Sequence, residues 1–210
     1  NTDTEFSAAI QGTGGLVKTR FAGAAKFDKV HFSSDARFGE AEFKGPAGFE
    51  ETSFTGKSSF RMVRFGGETR FDGADFESDA RFTEAQFAEA AHFRKAGFGG
   101  VAEFQKAGFA KQADFTRARF DGETDFGSTA FAGEADFSQT HFKGHASFSE
   151  AAFRDGAVFY QAEFKARASF RSAEFAGKAG FEALQSRASF GLAGSRFAQV
   201  PNFQEATLRE

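Results

Sequence analysis

The chain has 210 residues with 34 phenylalanines, one tyrosine, no tryptophan and no cysteine. Its 26 Lys and Arg against 29 Asp and Glu leave a net charge of −3, which gives neither a basic footprint for nucleic acid nor the heavy acidity of a phosphate imitation. The missing cysteines exclude disulfides, zinc knuckles and thiol chemistry. No stretch approaches the roughly 20 apolar residues of a membrane span, and no signal-peptide pattern is present.

Residues 1–9 read as a lead segment, polar except for Phe6, Ala8 and Ala9. A register then begins at Ile10 and Leu16. From Phe21 to Phe181 the phenylalanines follow steps of 6, 5, 6, 5 without a miss, 30 rings on an 11-residue period. Such self-similarity predicts one short unit stacked on copies of itself. Two places before each of these rings stands a small residue, Ala in 21 of the 30 units. A large apolar residue with a small one two places earlier has the period of an extended segment, with both side chains on one side.

The six-residue steps carry a turn signal. Gly23, Gly45, Gly56 and Gly67 stand two places after the Phe that opens such a step, as do Gly100, Gly122, Gly133, Gly144 and Gly177. Glycine there suits a corner that needs a positive φ or a close backbone approach. The chain therefore reads as short strand, corner, short strand, corner. A helical reading of the same period fails. Five residues turn a helix by about 500°, which puts alternate rings on stripes roughly 140° apart, and the 24 glycines would weaken it badly.

Beyond Phe181 the register continues through Ser186, Leu192, Phe197, Phe203 and Leu208. At the first two of these the pattern inverts, with Leu184 and Phe190 in the small residue's slot, which keeps the core volume filled. Residues 10–208 thus form a single repeat domain, followed only by residues 209–210.

Units such as "AEFKG", "ARFTE", "AQFAE" and "AEFQK" resemble the pentapeptide-repeat family over nearly the whole chain. The resemblance implies an all-β fold, a right-handed four-sided β-solenoid (a β-helix) with each unit making one side. This chain is a Phe-rich variant with alternating five- and six-residue units. Four sides then take 22 residues, so each ring lies above the one 22 places earlier, as in Phe21, Phe43, Phe65 and Phe87. Residues 10–208 make about nine such coils, a rod about 43 Å long at the spacing of paired strands.

No catalytic constellation stands out, and the reading is a non-enzyme without metal or cofactor. The histidines, His31, His92, His141 and His145, read as solvated surface residues, although His141, His145 and Asp136 lie near one corner. An outward threonine array for ice is excluded, because Thr19, Thr52, Thr69, Thr124, Thr129 and Thr140 occupy the inward small slot. Acids and bases interleave in the 22-residue columns, as Arg20, Glu42 and Arg64 do. With no amphipathic cap helix, the expectation is a structural protein that self-associates end to end as a filament subunit. Its contacts would be Ile10 and Leu16 at one end, and Phe203 and Leu208 at the other. The alternative implied by the resemblance is a DNA-mimicking or protein-binding rod acting on a type II topoisomerase, which the mixed charge opposes. Asn1 in first place fits a trimmed, cytoplasmic chain or the mature end of an exported one.

Overall fold

The structure, a computed structural model, describes Thr4–Glu5 and residues 14–209. Over these residues the chain coils into a β-solenoid of about nine turns, and every strand pair is parallel at nearly constant register. Most strands are two residues long. They fall on four sides. The first side carries Arg20–Phe21, Glu42–Phe43 and their successors to Arg196–Phe197. The second carries Ala25–Lys26 to Lys178–Gly180, the third His31–Phe32 to Glu163–Phe164, and the fourth Ala36–Arg37 to Ala168–Ser169. Gln185–Gly191, where the large and small residues trade places, is a seven-residue strand that joins the third and fourth sides. Among the described residues no helix is long and apolar enough to cross a membrane.

The alternating steps explain two kinds of side. On the first and third sides the strand is the residue before Phe and Phe itself. On the second and fourth it begins at the small residue. Backbone bonds run from coil to coil in both directions. Phe27 N–H donates to Gly48 C=O in the next coil at 2.7 Å, whereas Glu42 N–H donates to Thr19 C=O in the preceding one at 2.9 Å. Each described coil thus donates to and accepts from both of its neighbours, and the parallel ladder satisfies the backbone.

Each coil contributes four rings to the core. Along a column the rings stack face to face, from 4.5 Å between Phe21 and Phe43 to 5.3 Å between Phe159 and Phe181. Across the core the second- and fourth-side columns meet edge to face, with Phe27 and Phe38 at 5.4 Å and 85°. Both are favoured geometries for aromatic pairs. Phe27, Phe49 and Phe104 are fully buried, as are most of the small-slot alanines. Burying one such ring is worth roughly 2–3 kcal/mol.

The corners differ from expectation in one respect. The glycines of the six-residue steps have no positive φ; they answer a close approach. A Cβ on Gly56 would stand 2.5 Å from Asp35 N in the coil beneath. Positive φ falls instead on the five-residue steps, two places after Phe, where Lys29, Glu51, Met62 and Lys95 take φ of 60°, 52°, 57° and 58°. The Phe27 carbonyl accepts from Val30 N–H at 3.1 Å across that turn, a type II arrangement that glycine ordinarily serves. The stack fixes the turn so tightly that non-glycine residues accept the strain.

Ladder pairing also reaches into the segment read as a lead, since Thr4–Glu5 pairs with Ala25–Lys26. That strand's outer backbone edge would otherwise lack partners.

The inward threonines divide by side. Thr52 Oγ1 donates to Phe27 O at 2.6 Å and Thr129 Oγ1 to Phe104 O at 2.8 Å. Ser58 Oγ and Thr124 Oγ1, on the fourth side, are buried without a partner. Thr52→Val is therefore expected to cost about 1 kcal/mol, and Thr124→Val to be neutral or to stabilise by a similar amount. Chemical denaturation of the two variants measures both signs.

Candidate functional site

Among the described residues the inward positions of the regular coils are buried, so the candidate surfaces are the outer columns and the ends. Outward residues sit over their counterparts one coil away, about 4.8 Å apart, and many carry opposite charge. Arg20 pairs with Glu42 at 2.6 Å, Arg94 with Asp72 at 2.7 Å, and Lys57 with Asp79 at 3.0 Å. The Arg70 guanidinium beside Glu68 holds that carboxyl below the usual range, and Glu68 in turn raises Arg70. Lys57, helped by the Val101 N–H, lowers Asp79 in the same way, and Asp72 raises Arg94. Pairs as exposed as these are worth about 0–1 kcal/mol each. They set the register of coils more than they stabilise them.

The column of Arg20, Glu42 and Arg64 is as the sequence places it. A shallow trough of about 680 Å³ lies over it, lined by Lys18, Glu40, Met62 and Glu84 among others. Part of its charge is already engaged, with Lys18 3.6 Å from Glu40 and Arg20 2.6 Å from Glu42.

His31, His92 and His141 lie on different coils. His31 Nδ1 is 3.2 Å from Ser53 Oγ in the next coil. His92 Nε2 meets Glu68 at 3.1 Å and its Nδ1 is buried without a partner, while His141 lies 3.8 Å from Glu163. The His31–Ser53 contact has the reach of a base and a nucleophile. Yet the Ser53 N–H is spent on Val30 O at 3.0 Å, so this site does not offer that donor to an oxyanion. Among the described residues no group of three or more His, Cys, Asp and Glu is placed to hold a metal ion.

Of the four end-contact residues, Ile10 lies outside the described residues. Leu16 is half-buried against the first coils. At the opposite end Phe203 stacks on Phe181 at 4.6 Å and remains half-exposed, as does Phe197 on Phe175. Leu208 pairs with Ser186 and is 44% exposed; Val200 beside this edge is 94% exposed. The sequence register had marked Phe203 and Leu208 but not Val200, which stands outside the inward pattern.

A family model described as Pentapeptide repeats (9 copies) matches residues 49–97, 63–108, 82–129, 104–152 and 137–183. No curated protein and no solved structure matches the chain. The matched segments overlap into a continuous run over more than half of the chain, and the coils that they cover are the regular ones of the solenoid. The chain belongs to the pentapeptide-repeat family.

Proposed function

We propose that this solenoid is a non-enzymatic structural protein that self-associates end to end, the last described coil of one copy seating on the first coil of the next. One observation carries this reading: the described coils are joined by one parallel ladder whose pairing a further coil could continue. Every described coil pairs with the next by the same parallel ladder, each offering donors and acceptors to both neighbours. The pairing that joins coil to coil within one copy is therefore the pairing that would join two copies. The apolar edge formed by Phe197, Phe203 and Leu208 supplies the surface to be buried. A contact of unlike surfaces does not close, so it propagates into a filament. The opposed charges along the sides favour this over a topoisomerase-binding phosphate imitation, which needs one sign along the rod.

Negative-stain imaging beside light scattering over a range of concentrations tests it. The expected result is fibres one solenoid wide that Phe203→Glu and Leu208→Glu shorten to discrete rods, with the far-ultraviolet spectrum retained. Discrete rods from the unaltered protein at every concentration would overturn it.

A further inference from the structure

The corner between the third and fourth sides breaks the pattern of opposed charges. There the signs separate along the rod. Residues 75–81 carry Asp75, Glu77 and Asp79, residues 97–103 carry Glu103, and residues 119–125 carry Asp121, Glu123 and Asp125. Against these seven carboxylates the three segments hold two cations, Arg81 and Arg119. The next coils reverse the sign. Lys143, Lys165 and Arg187 stand in one column, with Arg167 beside them and Arg209, displaced by a register shift, over Ser189; Glu163 is the one carboxylate among them. All five cations are exposed. Internal pairing reduces the separation without cancelling it. Glu163 is shared by Arg187 at 2.7 Å and Lys165 at 3.9 Å, and Asp121 by Lys143 at 3.0 Å and Arg119 at 3.3 Å. Arg81 meets Glu103 at 3.3 Å and Lys57 meets Asp79 at 3.0 Å, while Asp75, Glu77 and Glu123 enter no ion pair among the described residues.

The apex of this corner is also low. Ser78, Gly100, Gly122, Gly144 and Ala166 occupy it, small residues that leave the flanking charges standing proud, and at Ala188 the continuous strand Gln185–Gly191 replaces the corner. A Cβ on Gly100 would lie 2.6 Å from Ser78 C, so the floor has little room to rise.

We propose that this corner is a docking surface for a second copy of the chain, lying alongside in antiparallel orientation. The two-fold axis falls between residues 119–125 and residues 141–147. About that axis Asp121 and Glu123 of each copy face the Lys143 coil of the other. Glu103 then faces Lys165 and Arg167, and the coil of Asp75, Glu77 and Asp79 faces Arg187. Three coil levels match in sign on each side of the axis, and the contact is the same patch on both copies, as a closed dimer requires. A parallel arrangement in register would set like charges against each other at every level. Electrostatic complementarity of this kind fixes orientation and partner choice more than bulk affinity. The proposal uses the long side of the rod and does not rest on the end-to-end reading. Side pairing closes at two rods, whereas end stacking grows in length.

Sedimentation of the full chain tests it, with Lys165→Glu/Arg187→Glu and Asp75→Lys/Glu77→Lys as reversal variants and far-ultraviolet circular dichroism confirming the coil stack in each. In about 50 mM salt the protein is expected to run as pairs, or as fibres two rods wide if the ends also stack. Raising the salt to about 500 mM, where the Debye length is a few ångströms, is expected to separate them. Each variant alone should bind itself at least tenfold more weakly. An equimolar mixture should recover the pair, because one variant is then acidic at both patches and the other basic at both. Single rods from the unaltered protein at low salt would overturn the proposal. So would pairs that survive both reversals, or a mixture that stays unpaired. An anionic polymer that binds the basic column while the unaltered chain stays single would reassign the surface to such a partner.

Discussion

Phe104→Ala is expected to destabilise the protein by about 3–5 kcal/mol, the cost of emptying a fully packed aromatic site. Phe104 is fully buried and stacks on Phe82 at 4.8 Å and Phe126 at 4.7 Å. Its edges meet Phe93 at 5.7 Å and Phe115 at 5.6 Å. Removing the ring leaves those four facing a void that the rigid ladder cannot close. Because each coil touches only its neighbours, the damage is local and interrupts the cooperativity of the stack. Denaturant unfolding followed by circular dichroism should therefore change from one transition towards two, one for the coils on each side. Phe104→Leu keeps most of the volume and loses the stacking, so it is expected to cost about 1–1.5 kcal/mol. A loss below about 1 kcal/mol for the alanine variant would show that the rings are fillers and not the source of stability.

The second large effect is a trade of volumes. Phe120→Ser alone is expected to cost more than about 3 kcal/mol and Ala118→Leu alone about 1–3 kcal/mol, the first by cavity and the second by overpacking. Together they reproduce, three coils earlier, the natural pair Leu184 and Ser186, which are both buried. There Ser186 Oγ donates to Ala188 O at 2.8 Å, and the Phe190 ring, set in a small slot, packs edge-on to Phe181 at 6.0 Å. The double variant should fall short of the summed losses by at least about 1 kcal/mol, a coupling that a double-mutant cycle reads directly. Strict additivity would mean that Leu184 and Ser186 depend on Phe190 rather than on each other.

The inward register was legible from Phe21 to Phe203, because the core repeats every 11 residues and the strand period places Phe and Ala together. Four sides followed from matching five-residue steps with five and six with six. The positive φ at Lys29 and Met62 was not legible. Nothing in a lysine or a methionine announces that backbone; the turn is dictated by the ladder on either side of it. Gly56 signalled a corner correctly, and the stack decided that its role was close approach. The paired charges of Arg20 and Glu42 could be read from the 22-residue column. The separated charges from Asp75 to Arg209 could not, because they occupy several neighbouring columns that join only when the corner is folded. Val200 lies outside the inward set, so periodicity could not mark it.

The 11-residue period and the 22-residue coil together give the rod a half-turn symmetry in its interior that its exterior lacks. Deleting a block of 11 residues would bring first-side sequence onto the third side and second-side sequence onto the fourth. Every ring would still find a ring beneath it, and five-residue corners would still lie over five-residue corners. The surface beyond the cut, however, would face the opposite direction. Length and facing are therefore separately adjustable: whole coils lengthen the rod at about 4.8 Å each, and half coils swing everything downstream through about 180°. A repeat gained or lost in such a gene changes which partners the far end can meet while leaving the core almost unaware of the event.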